Sequence, residues 1–127
     1  MKGIRTFDLA EALKAYLHES WNKGPWGQSN GRDGWKEYTQ LCFVPYPKYR
    51  EAIAKTLEYA YDDFCGYQLA DATGNTFYAD IFKKQMYNYK NVYDSVTTFM
   101  LCRNEEGKWS PNFDPVEWGG PYTEGNA

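Results

Sequence analysis

Between positions 48 and 73 apolar residues recur at helical spacing. Ile53, Leu57, Ala60, Tyr61, Phe64, Tyr67, Leu69 and Ala72 spread over well more than a third of the helix circumference. A stripe that wide predicts a mostly buried helix. The opposite face lacks the usual run of Lys and Glu and carries Thr56, Tyr59, Asp63, Gly66 and Ala70, with Asp62 at its edge. Small residues and carboxylates in those places predict a face that looks onto other protein or into a cleft. A buried carboxylate is costly unless it is hydrogen-bonded or paired, so two adjacent aspartates there need a reason.

The flanking segments fit around this helix. Leu9, Leu13, Tyr16 and Leu17 repeat at helical spacing behind Asp8 and Glu11, a capping pattern that predicts a first helix over 8–20. His18, the one histidine, falls in its last turn and reads as a solvated residue without catalytic duty. Positions 21–34 turn rich in glycine, and Gly27-Gln28-Ser29-Asn30-Gly31 lacks the spacing and the terminal Lys-Ser/Thr of a phosphate loop. Trp26 and Trp35 near the ends of this loop suit packing, or stacking on a ligand. A short helical stretch over 35–40 leads to Phe43-Val44-Pro45, and Pro45 and Pro47 bracket the approach to the central helix. Gly74 closes that helix as a left-handed cap, and a half-exposed helix over 76–93 follows, with Phe77, Ile81, Phe82, Tyr89 and Val92 on its apolar side. The two helices predict an αα-hairpin with an inner and an outer member. From 94 onward the regular pattern stops in favour of aromatic residues set among Gly and Pro, a long loop with a short extended piece over 99–103.

Composition narrows the function classes. Aromatic residues make up 19% of the 127 positions, which suits a sugar-handling surface or an aromatic core equally. A net charge of −3 without any basic block argues against nucleic acid and anionic membranes as partners. Cys42, Cys65 and Cys102 are odd in number, far apart and without Cys-x-x-Cys spacing, so they read as core cysteines, neither a disulfide framework nor a zinc site. No stretch has signal-peptide or membrane-span length, which taken literally reads as cytosolic.

The chain closes on Phe113-Asp114-Pro115, Trp118 and Tyr122-Thr123-Glu124-Gly125-Asn126-Ala127, where Thr123 resembles the cap of a helix that has not begun. An end at such a point reads as a cut inside a larger domain. Seven blocks along the chain then resemble glycoside hydrolase family 92, the calcium-dependent exo-acting α-mannosidases. They are Lys2-Gly3-Ile4-Arg5 with Phe7-Asp8, Phe43-Val44-Pro45, the Thr-Leu-Glu-Tyr-Ala-Tyr-Asp-Asp run over 56–63, and Asn88-Tyr89-Lys90-Asn91. The others are Phe99-Met100 with Arg103-Asn104, Gly107 and Trp109, then Phe113-Asp114-Pro115, then 122–127. The departures are Phe64 where the family has Trp, Glu106 where Asp commonly precedes the Gly, Thr98 where Gly commonly precedes the Phe, and an insertion near 27–31.

The resemblance implies an all-α fold, part of an (α/α)6 toroid with about three helices and long aromatic loops, joined in the parent to an N-terminal β-domain that lies outside 1–127. It implies removal of terminal α-linked mannose, α-1,2-linked foremost, from mannans or N-glycans, with inversion. Inversion requires a carboxylic acid at the leaving oxygen and a carboxylate that activates water across the ring. By the match to the terminal block, Glu124 takes the general-acid role. The resemblance leaves Asp62 and Asp63 between lining the sugar pocket and bonding a neighbouring helix or loop end, Arg103 between a substrate group and an ion pair, and Trp118 between stacking on a sugar and packing. In the family the general base and the calcium ligands lie downstream, so calcium belongs to the parent and no metal ligand is assigned here. The expectation is a piece that is inactive alone and completed by the rest of its parent, with α-mannoside glycans as partners. The family further implies a periplasmic, surface or secreted parent. The rival reading is a non-catalytic helical carbohydrate-binding or interaction module.

Overall fold

The computed structural model describes residues 6–22, 31–114 and 116–123. Four α-helices follow one another: α1 (Leu9–Ser20), α2 (Trp35–Leu41), α3 (Ala52–Ala72) and α4 (Thr76–Gln85), and a 3-10 turn, Asn88–Asn91, completes the series. Among the described residues no strand forms. The predicted extended piece reduces to the isolated bridges Tyr93–Met100 and Arg103–Trp109. The fold is all-α, with one helix more than expected because the stretch after Trp35 is a full helix.

Local chemistry sets the helix ends. Asp8 Oδ1 accepts from the amides of Ala10 and Glu11 at 2.9 and 3.0 Å, which satisfies donors that have no partner inside α1. Gly74, at φ +72°, ends α3. Its amide donates to Asp71 O and that of Asn75 to Ala70 O, the double closure of a left-handed cap. The Asn75 side chain then accepts from Tyr78 N at 3.2 Å and starts α4, so one residue serves both helices.

Two predicted boundaries move. The central helix begins at Ala52 rather than 48, because Glu51 sits at φ +55° and breaks the helical path. The following helix stops at Gln85 rather than 93, where the backbone tightens into the 3-10 turn.

The small and polar face of α3 meets other protein, as its composition predicts, whereas the apolar stripe is covered only in part. The buried residues are Ala52, Ile53, Thr56, Ala60, Asp63, Gly66 and Ala70, nearly the whole of the small and polar face. Tyr61 is 65% exposed and Phe64 44%. Small residues let neighbouring backbones and rings approach closely, so this face takes α1, α2 and the loop before α2. Phe77 on α4 is likewise exposed, while Ala79 and Phe82 fill the interior. Of the cysteines only Cys102 is buried; Cys42 is half-buried and Cys65 exposed, which corrects the core reading of all three.

Two cores result. Leu13, Ala70 and Ala79 join α1, α3 and α4, and Tyr38, Val44 and Ala52 join α2 to the start of α3. The Phe43-Val44-Pro45 element is fixed by Thr56, whose Oγ1 accepts from Val44 N at 2.9 Å and donates to Ala52 O at 2.8 Å. Among the described residues no helix is long and apolar enough to cross a membrane.

Candidate functional site

The charged centre of the described chain lies midway along α3. Adjacent helix residues point about 100° apart, and the two aspartates diverge accordingly. Asp63 points inward with its side chain fully buried, and Asp62 stays at the rim with half of its side chain exposed. Arg32, in the short turn before α2, reaches both: Nη1 donates to Asp63 Oδ1 at 2.7 Å, and Nη2 stands 3.8 Å from Asp62 Oδ2. The Tyr38 hydroxyl donates to Asp63 Oδ2 at 2.7 Å, so both oxygens of Asp63 are taken within the chain.

A wall of tyrosines encloses this pair. The Arg32 guanidinium lies 5.0 Å from the Tyr59 ring centroid and 5.8 Å from those of Tyr16 and Tyr38. Those distances favour cation–π attraction, strongest where water is excluded. Arg32 also donates to the Tyr16 hydroxyl at 2.9 Å, and the Tyr59 hydroxyl donates to Asp33 O at 3.1 Å. Burial pushes the Asp63 carboxyl above the ordinary carboxylate range, and Arg32 and Tyr38 pull it back. Burial also raises Asp62, opposed by Arg32. The Tyr59 phenol is pushed up to about 12, first by burial and then by Asp33, and burial drives Tyr16 and Tyr38 further up.

A second cluster gathers at the start of α3. Glu51 there offers no side-chain cap, and the tail of the chain supplies one from its backbone. Gly120 O accepts from Glu51 N at 3.1 Å, and Pro121 O accepts from Ile53 N at 2.9 Å. Tyr122 adds a hydrogen bond from its hydroxyl to Met100 O. Arg103 lies with its guanidinium carbon 3.7 Å from the Trp109 ring centroid, and its backbone carbonyl accepts from Tyr46 N. Its Nε is buried without a hydrogen-bond partner among the described residues. Trp118 is 76% exposed, so its ring face is open.

Of the predicted site residues, Asp62 and Asp63 lie at mid-helix, whereas Arg103 and Trp118 lie in the long segment that follows the 3-10 turn. Glu124 lies outside the described residues, directly after the exposed Thr123. Sequence reasoning missed Arg32 and the tyrosines around it. Arg32 stands in a Gly-Arg-Asp-Gly turn with no periodicity, and nothing local ties it to a residue 31 positions away. Among the described residues no group of three or more Asp, Glu, His or Cys side chains is gathered that could hold a metal ion. With Asp63 committed to Arg32 and Tyr38, these residues do not fit a calcium site.

Comparison with known proteins adds the family. The profile described as the glycosyl hydrolase family 92 catalytic domain matches residues 1–127. Among solved structures, an inverting mannosidase of that family from Bacteroides thetaiotaomicron is 44% identical and superposes with a TM-score of 0.93 over 99% of this chain. An α-mannosidase of the same family and organism is 33% identical over 98% of this chain, with a TM-score of 0.85. A structure of that α-mannosidase in complex with mannoimidazole matches at 30% identity, again with a TM-score of 0.85. The chain spans only 17% of the first of these structures and 16% of the other two. No curated protein matches the chain.

Proposed function

Since the chain belongs to glycosyl hydrolase family 92, we propose that it is part of the catalytic domain of an inverting α-mannosidase acting on terminal α-linked mannose of mannans or N-glycans, α-1,2-linked foremost. The observation that carries this reading is the anchoring of the tail. The carbonyls of Gly120 and Pro121 are locked onto the first turn of α3, so the segment leading to Glu124 is carried by the rigid central helix. Groups that must meet a reacting bond gain from such fixed placement.

In this reading Glu124 protonates the leaving glycosidic oxygen, and a carboxyl group in that role needs its pKa raised toward neutrality by burial and neighbouring charge. Asp62 rather than Asp63 offers a carboxylate to sugar hydroxyls, because it keeps exposed surface while Asp63 is consumed inside. Trp118 offers an open ring on which a sugar face can stack. Arg103, with its guanidinium over the Trp109 ring, presents donors to a hydroxyl. The general base and the calcium ligands belong to the remainder of the parent, together with its β-domain, and the 127-residue chain alone is expected to be inactive. A periplasmic, surface or secreted parent accords with a glycan substrate.

The test is hydrolysis of α-1,2-mannobiose by the whole gene product, with proton NMR reading the first-formed anomer. β-Mannose appearing first supports inversion. Glu124→Gln is expected to lower kcat by roughly 10²–10⁴-fold, the usual contribution of a positioned acid. First-formed α-mannose, or undiminished turnover in the Gln variant, overturns the assignment.

A further inference from the structure

Trp35 opens α2 on the wall of an open hollow of about 470 Å³, a volume usual for a small-ligand site. Trp35 and Tyr49 give it two half-buried rings, and Asp33, Lys36 and Glu37 give it charge. None of Asp62, Asp63, Arg103 and Trp118 lines it. Gly34 admits the Tyr49 ring, since a Cβ built there would stand 3.2 Å from Cδ2 and Cε2. The carboxylates are matched within the chain. Lys55 Nζ stands 3.1 Å from Asp33 Oδ2, and Lys48 Nζ 2.8 Å from Glu37 Oε1. The Tyr49 hydroxyl donates to Glu37 Oε2 at 2.9 Å. A carboxylate has about four acceptor positions, so Glu37 keeps room for further donors. The Lys36 ammonium, 5.7 Å from the Trp35 ring centroid, brings donors to the same wall. Matched charge disfavours an ionic ligand, and rings beside donors and acceptors suit an uncharged polyhydroxy one. A sugar ring has C–H faces that lie on an aromatic ring and hydroxyls at its edge that hydrogen-bond.

We propose that this hollow binds a mannosyl unit of the substrate glycan remote from the bond that is cut, so that the enzyme favours longer chains over disaccharides. Its placement supports that use. Tyr49 stands two residues before Glu51, whose amide donates to Gly120 O, so the hollow lies at the end of α3 that also holds the segment leading to Glu124. Lys48 joins Glu37 in the wall to Glu105, two positions after Arg103, at 2.8 and 2.6 Å. The inference rests on the mannosidase reading for the identity of the sugar.

The test compares initial rates of the whole gene product on α-1,2-mannobiose and α-1,2-mannotetraose. Trp35→Ala is expected to raise KM for mannotetraose about tenfold, the upper end of what an aromatic contact supplies. KM for mannobiose and kcat for both stay unchanged, the mark of binding lost equally in ground and transition states. Trp35→Phe, which keeps a ring, recovers most of the loss. An unchanged KM for mannotetraose, or an equal rise for both substrates, overturns the inference. If Trp35→Ala does not fold, Glu37→Gln decides by the same comparison, since it keeps the side-chain shape and replaces one acceptor oxygen by a donor. Binding is read separately, by calorimetric titration of mannotetraose into the Glu124→Gln protein with and without Trp35→Ala. A protein that hydrolyses no mannoside but binds mannotetraose through Trp35 removes the mannosidase reading and keeps the sugar site. One that hydrolyses mannobiose and binds mannotetraose without regard to Trp35 keeps the mannosidase reading and overturns the site.

Discussion

Tyr16 of α1 packs directly on the backbone of Gly66 in α3. A Cβ built at Gly66 would meet the Tyr16 ring well inside contact distance, with Cζ at 2.7 Å and the hydroxyl at 2.9 Å. The ring has nowhere to retreat: it packs edge-on against Phe82 at 5.1 Å, and its hydroxyl is held by Arg32. Gly66 is therefore a contact point rather than a flexible joint. Alanine in a helix ordinarily gains about 1 kcal/mol over glycine, and here the clash reverses the sign. Gly66→Ala is expected to destabilise the protein by about 1–3 kcal/mol, the range for overpacking. The urea midpoint measures it, and an unchanged or raised midpoint refutes the close approach.

The pair at mid-helix makes a second prediction. Removing one partner of a buried ion pair leaves the other charge without compensation, at a cost of about 3–5 kcal/mol. Asp63→Ala is expected to fall in that range, since it strands both the Arg32 guanidinium and the Tyr38 hydroxyl. Replacing the whole group with apolar residues, Arg32→Met with Tyr38→Phe and Asp63→Leu, should recover most of the loss. Comparison of the single and triple variants by denaturant unfolding is the check. If the triple variant is no more stable than Asp63→Ala, burial of unpaired charge is not the cause.

Alkaline titration tests the tyrosine enclosure. Burial pushes the Tyr59 phenol up to about 12, above its ordinary 10.0, and drives Tyr16 and Tyr38 further up. The folded state thus retains protons that the unfolded chain releases. Their contribution to stability is complete below the unfolded pKa and is lost as pH rises through the folded one. Phenolate absorbance should therefore rise in two phases, an early one from exposed tyrosines and a late one that coincides with loss of helical circular dichroism. A single early phase for all 12 tyrosines, with helix content intact, contradicts the enclosure.

What could be read from the sequence was local. Asp8 as a cap, Gly74 as a stop and the αα-hairpin of α3 and α4 follow from chemistry within a few residues, and the structure has them. Burial of the small, carboxylate-bearing face of α3 could be read as well, but not what covers each face. A helix with apolar residues on one side and small ones on the other has two faces suited to burial, and periodicity does not say which neighbour each will meet. Thr56 and Gly66 are inside because Val44 and Tyr16 come to them from other elements. For Asp63 a bond to a neighbouring helix or loop end was one of the two readings, and Tyr38 and Arg32 supply it; the identity of Arg32 escaped because nothing near it in the chain marks it for burial. The start of α3 was misplaced because its first turn is completed by the carbonyls of Gly120 and Pro121, which lie far along the chain and carry no sequence signature.

That last feature orders events as the chain emerges from the ribosome. Synthesis is slow beside the formation of a helix, so residues 52–85 are made while the opening turn of α3 still lacks the acceptors that Gly120 and Pro121 supply. The amides of Glu51 and Ile53 gain these two partners only once residues 120 and 121 have been made. The beginning of the central helix therefore depends on chain synthesised some 70 residues later.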